Sequence, residues 1–242
     1  MAKKKKKEFK TKAGSKDTIE EISKELIKEV NSEIGSKVMF TLGEGEAPSD
    51  LDDFISTGSK LLDYAISNRR NGGIPAGRIT EISGDSQTGK SLVAYAILKE
   101  AQKRGDIALL LDAENSVSKD YLRHLGLDWD KLLTGSVQYV EQMFAILENV
   151  IKKNHASKNG KRVVAVVDSI AALPPLAELE GEFDDQTIGL AARKIGQGLR
   201  MITQTVGNEK VTLVLLNQIR EKIGCLDPET TYVEARRIVD IC

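Results

Sequence analysis

The chain has 242 residues, 40% hydrophobic and 29% charged, the balance of a globular protein with one sizeable core and room for a small appendage. A formal net charge of −1 excludes polyanion binding through an overall basic field, so any such contact must come from local patches. No apolar run is long enough to cross a bilayer, no secretory signal follows the basic start, and Cys225 and Cys242 make no disulfide framework, so a cytoplasmic protein with no membrane partner is expected.

Residues 1–16 are lysine-rich, with little that is apolar beyond Met1 and Phe9, and read as a disordered basic tail; the sharper alternative is a nonspecific phosphate-binding arm. From Asp17 onward, Ile19, Ile22, Leu26, Val30 and Ile34 recur every three or four residues. That spacing predicts an amphipathic helix over 17–34, opened by Thr18 and Glu21 in capping-box spacing and closed by Gly35. Its apolar face needs a cover, either on its own domain or on a neighbouring subunit.

Beyond a polar loop at 43–53, strand-like and helix-like runs alternate. Strands are predicted at 78–83, 107–111, 163–167 and 211–216, and helices at 91–104, 141–153 and 189–205. The runs at 107–111 and 163–167 are wholly apolar, as in a sheet buried on both sides. The alternation predicts an α/β fold, a mostly parallel sheet with helices on both faces. There are no internal repeats.

Between the first strand and the first helix stands Gly84-Asp85-Ser86-Gln87-Thr88-Gly89-Lys90-Ser91, a complete G-x-x-x-x-G-K-[ST] loop. Strand before and helix after are the context in which backbone N–H groups and a helix N-terminus cradle a polyphosphate; a chance glycine-rich turn lacks it. Lys90 would reach the β- and γ-phosphates of ATP, and the Ser91 hydroxyl would bind Mg²⁺. The run of valines from Val163 ends in Asp168, a carboxylate placed to hold the metal's water shell at the carboxyl end of a strand. The strand at 107–111 ends in Asp112-Ala113-Glu114, and Glu114 is a candidate general base for the water that attacks the γ-phosphate, or else a solvated loop carboxylate.

Several further stretches make the sequence specific. Phe54-Ile55-Ser56-Thr57-Gly58-Ser59, Gly77-Arg78-Ile79, the phosphate loop, Asp112-Ala113-Glu114 and Val166-Val167-Asp168-Ser169 occur in order. They are followed by Glu180-Gly181-Glu182, Gly189-Leu190-Ala191-Ala192-Arg193 and Asn217-Gln218-Ile219-Arg220-Glu221-Lys222-Ile223-Gly224. Over 34–224, close to four fifths of the chain, the sequence resembles the bacterial RecA recombinases. The resemblance implies a RecA-like P-loop ATPase core at 37–224, preceded at 17–36 by a helix that docks on the next protomer of a helical homo-oligomeric filament. It implies that Glu114 activates the attacking water and that Asp168 is the metal-shell acid. Tyr121 falls where the family stacks a tyrosine on adenine, although Ser118 stands where the family has an aspartate for the base edge. Gln218 would sense the γ-phosphate and couple it to the DNA loop that begins at Arg220. The implied activity is a DNA-dependent ATPase that binds single-stranded DNA and promotes strand exchange in repair.

Candidate DNA contacts are also visible in the residues. Arg193 and Arg200 are seven apart and share one helix face; Arg220 and Lys222 open a loop directly after a strand. On spacing alone these four would be ordinary surface charges; the surrounding motifs favour DNA. Phe183 and Ile188 lie in or beside the first implied DNA loop, where an apolar side chain would wedge between bases. At 225–242 the match weakens, and two readings stand. In one, Asp227-Pro228-Glu229-Thr230-Thr231 is the family's own segment after a short deletion, with a strand at 237–241. In the other, Cys225 opens an intein and its thiol attacks the Gly224 carbonyl. The alternative to a working recombinase is therefore a truncated or split RecA fragment, binding ATP but completed by a second polypeptide or by splicing. The family's later lysines, which complete the ATP site across a subunit interface, have no counterpart among these residues.

Overall fold

The computed structural model describes residues 19–36, 38–41, 51–157, 160–181, 189–209 and 211–219. The tail at 1–16, Thr18 of the capping box, most of the polar loop, Phe183, Ile188, Arg220, Lys222 and the segment 225–242 lie outside them. The chain divides into two units, Met1–Asp50 and Leu51–Cys242.

In the first unit the apolar periodicity forms helix α1 (Ile19–Ile34), with Glu20 and Glu21 in its first turn, where acids suit the helix dipole. The chain leaves it through Gly35 at φ +73°, the left-handed conformation that a helix stop requires. The Asn31 side chain then accepts from the N–H groups of Val38 and Met39 and donates to the Met39 carbonyl, so one amide braces the next segment. Ile19, Ile22, Leu26 and Ile34 are exposed.

The second unit opens with β1 (Phe54–Ile55), α2 (Lys60–Ser67) and β2 (Ile74–Pro75), the two strands pairing antiparallel. The Ser56-Thr57-Gly58-Ser59 turn is organised by Asp63 of α2. Its carboxylate accepts from the Ser56 hydroxyl at 2.6 Å and from both the N–H and the hydroxyl of Thr57 at 2.7 Å. Burial alone would raise the Asp63 pKa; these three donors outweigh it and hold it below the ordinary aspartate value. Asp53, just before β1, pairs with Arg104 and Arg162, which fastens this layer to the main sheet.

Next come β3 (Ile79–Gly84), α3 (Lys90–Arg104), β4 (Ile107–Asp112), α4 (Lys119–Leu125), β5 (Leu132–Ser136) and α5 (Val140–Ser157). Then follow β6 (Val163–Asp168), α6 (Leu176–Glu180), α7 (Leu190–Asn208) and β7 (Val211–Gln218). The five-stranded sheet has the order β3-β7-β6-β4-β5, and every neighbouring pair is parallel. Each strand's side chains alternate between two cores. Leu109, Leu111, Val163, Val167 and Leu213 pack with Leu147 of α5 and Leu199 and Ile202 of α7. Ala108, Leu110, Val164, Val166 and Val214 pack on the opposite face with Ile97 and Leu98 of α3 and Leu122 of α4. Each buried Val, Leu or Ile contributes about 1.5–3 kcal/mol by leaving water, so the apolar strands β4, β6 and β7 are a large source of the fold's stability. The architecture is the α/β fold expected, with helices on both faces.

The predicted elements recur with ends shifted by up to a turn: β4 and β6 each extend one residue to include the acid, and α5 runs to Ser157. The strand β5, Leu-Leu-Thr-Gly-Ser, was not expected; it is an edge strand with one face to solvent and carries no apolar pattern.

Candidate nucleotide site

Four strands deliver their last residues to one edge of the sheet. The register sets Gly84 of β3 beside Gln218 of β7, and Asp112 of β4 beside Asp168 of β6. β3 and β4 follow one another in sequence but are separated in the sheet by β7 and β6, so the crevice lies where the strand order turns back. A cavity of about 290 Å³ opens there, lined by the phosphate loop, Glu114, Tyr121, Asp168, Ser169 and Gln218.

The phosphate loop curls because Gln87 and Gly89 take left-handed backbone angles, φ +63° and +90°, the kind of conformation from which backbone N–H groups form an anion-binding nest. The Thr88 hydroxyl donates to the Asp85 carbonyl at 2.8 Å and holds the curl. A Cβ at Gly84 would stand 3.1 Å from the Thr88 hydroxyl, a tight contact that would push that side chain aside by a few tenths of an ångström. Lys90 begins α3, and its ammonium donates to the carbonyls of Gly84 at 2.9 Å and Asp85 at 2.6 Å. It is thus tethered in the loop by weak neutral acceptors that anionic oxygens would displace. Asp85, Ser86 and Ser91 complete the loop, and Ser86 and Ser91 line the cavity.

Glu114 follows β4 in a tight loop built by Asp112, whose carboxylate accepts from the N–H groups of Glu114, Ser116 and Val117 at 3.1–3.4 Å. Glu114 Oε1 accepts from the Ser169 hydroxyl at 2.9 Å and, at the long limit of 3.4 Å, from Gln218 Nε2. Its Oε2 has no protein partner among the described residues. The Asp168 carboxylate is buried, 5% exposed, and accepts from the Tyr95 hydroxyl of α3 at 2.8 Å. Burial first, then the negative charge of Asp168, push the Tyr95 phenol far above the ordinary tyrosine range, so it remains a neutral donor. Tyr121 of α4 is partly exposed at the cavity, and its ring meets that of Tyr95 edge-on, centroids 6.2 Å apart at 70°. Ser118 is the N-cap of α4 and makes no side-chain capping bond.

Among the described residues no group of three or more His, Cys, Asp and Glu forms a ready metal cage. One hydroxyl and one carboxylate, Ser91 and Asp168, beside a polyphosphate cradle suit Mg²⁺, which takes most of its ligands from water and substrate phosphate. The donor set therefore fits the ion.

Of the predicted nucleotide set, the structure brings residues 86–91, Glu114, Tyr121, Asp168 and Gln218 to one cavity, while Gly84 and Asp85 do not line it. Of the predicted DNA residues it describes Arg193 and Arg200, both exposed on α7, away from the buried stripe of Ile195, Leu199 and Ile202. Sequence reasoning missed Tyr95, Ser169 and the loop-building role of Asp112. An aspartate at a strand end before a short polar segment signals Asp112, and a tyrosine four residues after Ser91 signals Tyr95, because that spacing shares a helix face.

The RecA N-terminal domain family matches residues 21–236 of the chain. Protein RecA of Mesoplasma florum is 42% identical over 200 residues, covering 81% of this chain and 56% of that protein. Protein RecA of Chlorobium limicola is 40% identical over 201 residues, 82% of this chain and 55% of the relative. Protein RecA of Symbiobacterium thermophilum is 43% identical over 190 residues, 77% and 52% respectively. The chain spans about half the length of the curated relatives it matches.

Proposed function

The chain belongs to the RecA family, and from that membership we propose that it is a DNA-dependent ATPase that binds single-stranded DNA as a filament and promotes homologous pairing and strand exchange in repair. The observation that carries this reading is the shared contact of Glu114 with both Ser169 and Gln218 beside the phosphate loop. Gln218 ends β7 and is two residues from Arg220, so the group that touches the candidate base also leads into the candidate DNA loop.

The chemistry follows from the residues. Lys90 exchanges the carbonyls of Gly84 and Asp85 for β- and γ-phosphate oxygens, helped by backbone N–H groups of the loop and the N-terminus of α3. Ser91 and Asp168 would hold Mg²⁺, which supplies neutralisation of charge on the phosphate oxygens. Tyr121 offers its exposed ring to the adenine. Glu114 takes a proton from water at Oε2; the hydroxide oxygen bonds to the γ-phosphorus as the bond from phosphorus to the ADP oxygen breaks, leaving ADP and phosphate. With its other oxygen held by Ser169 and Gln218, the carboxylate is oriented for that transfer. The exposed Ile19, Ile22, Leu26 and Ile34 of α1 support a filament contact with a second copy through the 17–36 segment.

Glu114→Gln keeps the shape and removes the base. ATP should still bind, and hydrolysis with Mg²⁺ and single-stranded DNA should fall by about two to four orders of magnitude. If affinity falls as far as rate, Glu114 is a binding residue and the proton-transfer role is lost. An unmutated chain that binds ATP but hydrolyses none with DNA present would overturn the ATPase reading.

A further inference from the structure

Tyr95 is the one polar-tipped side chain in the stretch of α3 that faces the core. It is 3% exposed and shares its cluster with Ala94, Ile97, Leu98 and Ala101. Burying a phenol hydroxyl is unfavourable unless it finds a partner, and an aliphatic side chain would fill such a position without that cost. The partner is Asp168 Oδ2 at 2.8 Å, and among the described residues no other side chain donates to that carboxylate. The same ring lies edge-on to Tyr121, and Tyr95 stands one helical turn after Ser91. One buried side chain thus touches the candidate metal-shell acid and the candidate adenine platform.

We propose that Tyr95 is the positioning residue of the nucleotide site: its hydroxyl occupies Asp168 Oδ2 so that Oδ1 is turned to the water shell of the divalent cation, and its ring edge fixes the plane of Tyr121. The proposal rests on the nucleotide-binding reading of the cavity. A carboxylate with two free oxygens rotates about its terminal torsion, which has broad wells; a single strong donor removes that freedom. The hydrogen bond acts as an outer-shell contact that orients a group serving the ion. Through the Tyr95 ring, the order of the cation shell and the order of the base stack become linked across α3.

The test uses the whole chain and an ATP analogue fluorescent on its ribose, titrated in EDTA and then over a range of Mg²⁺ concentrations. Tyr95→Phe keeps the ring contact and removes only the hydroxyl. The Mg²⁺ concentration that gives half the metal-dependent gain in affinity should rise by about tenfold, while affinity in EDTA stays within about twofold of the parent. Tyr95→Leu removes the ring as well, and should further weaken analogue binding in EDTA by about threefold, without changing displacement by tripolyphosphate, which has no base. Thermal unfolding of both variants registers any general loss of packing. An unchanged Mg²⁺ dependence in Tyr95→Phe overturns the proposal, as does an equal fall in EDTA and in Mg²⁺, which marks a merely structural tyrosine. If the unmutated chain binds the analogue under neither condition, the nucleotide reading itself fails; binding by the parent together with an unaltered Tyr95→Phe sinks only the role of Tyr95.

Discussion

At the carboxyl ends of β3, β4, β6 and β7, the principal charged side chains are held by hydrogen bonds: Lys90 to two loop carbonyls, Asp112 to three N–H groups, Asp168 to Tyr95, Glu114 to Ser169. Along α7 the pattern differs. Lys194 pairs with Glu141 at 3.3 Å, while Arg193 and Arg200 stand exposed with no ion-pair partner among the described residues. The first region is held in shape by the sheet before any ligand arrives, so it selects by geometry. The second holds charge without fixed geometry, which suits a flexible polyanion contacted by summed electrostatics rather than by one fitted bond. Single substitutions should therefore act strongly and independently of salt at the strand ends, and weakly and salt-dependently on α7.

The largest effect is expected at Lys90. Lys90→Ala removes the mobile cation of the loop and at least two charge-assisted bonds to phosphate, so nucleotide affinity should fall by about a hundredfold or more. The core clusters do not include Lys90, and thermal unfolding should move little. A nucleotide titration with unchanged affinity would remove the phosphate-loop assignment and with it the fixed half of the contrast.

Asp63 is the next. Asp63→Ala strands the Thr57 N–H and two hydroxyls in a largely buried turn, at about 1–3 kcal/mol of stability. The sign of the pH dependence is fixed by the lowered pKa: an acid that ionises more readily when folded adds stability above its unfolded value, near 3.9, and loses it as pH falls through the folded value. Denaturant unfolding of parent and variant should differ at neutral pH and converge below about pH 4. A gap that stays constant down to pH 3 would mean that packing, not the carboxylate, holds the turn.

The sequence carried the parts of the fold that one chain segment specifies by itself. β4 and β6 are legible because strands buried on both faces must be apolar throughout, and the phosphate loop because its backbone geometry demands glycines at fixed offsets. β5 was invisible: an edge strand needs only one apolar face, and Leu132 alone supplies its burial. The two-residue strands β1 and β2 owe their pairing to the Asp63 turn rather than to any pattern of their own. In the site, Lys90 could be named from the phosphate-loop motif, Glu114 and Asp168 from strand ends and Gln218 from the family resemblance, but Tyr95 and Ser169 bond to partners 73 and 55 residues away. Periodicity cannot see such a partner, since it reports which face a residue takes and not what lies across from it.

The smallest effect, and the one that tests the other half of the contrast, concerns Arg193 and Arg200. Seven residues separate them, two helical turns, so both side chains leave α7 on the same side, and the buried Ile195, Leu199 and Ile202 anchor the helix in the core. If that side lies along single-stranded DNA, each arginine releases counterions from the phosphates it neutralises. Replacing both with Ala should flatten the dependence of log affinity on log salt by about 0.7 per lost phosphate contact, and weaken binding to all sequences alike. Nucleotide affinity without DNA should not change, because neither residue lines the cavity. Fluorescence anisotropy of labelled oligonucleotides of different composition, at several salt concentrations, separates the cases. An unaltered slope makes the two arginines ordinary surface charges and moves the DNA contact elsewhere in the chain. A loss confined to one base composition would instead assign them to base contacts, which need fixed geometry, and the division between a shaped region and a merely charged one would then no longer hold.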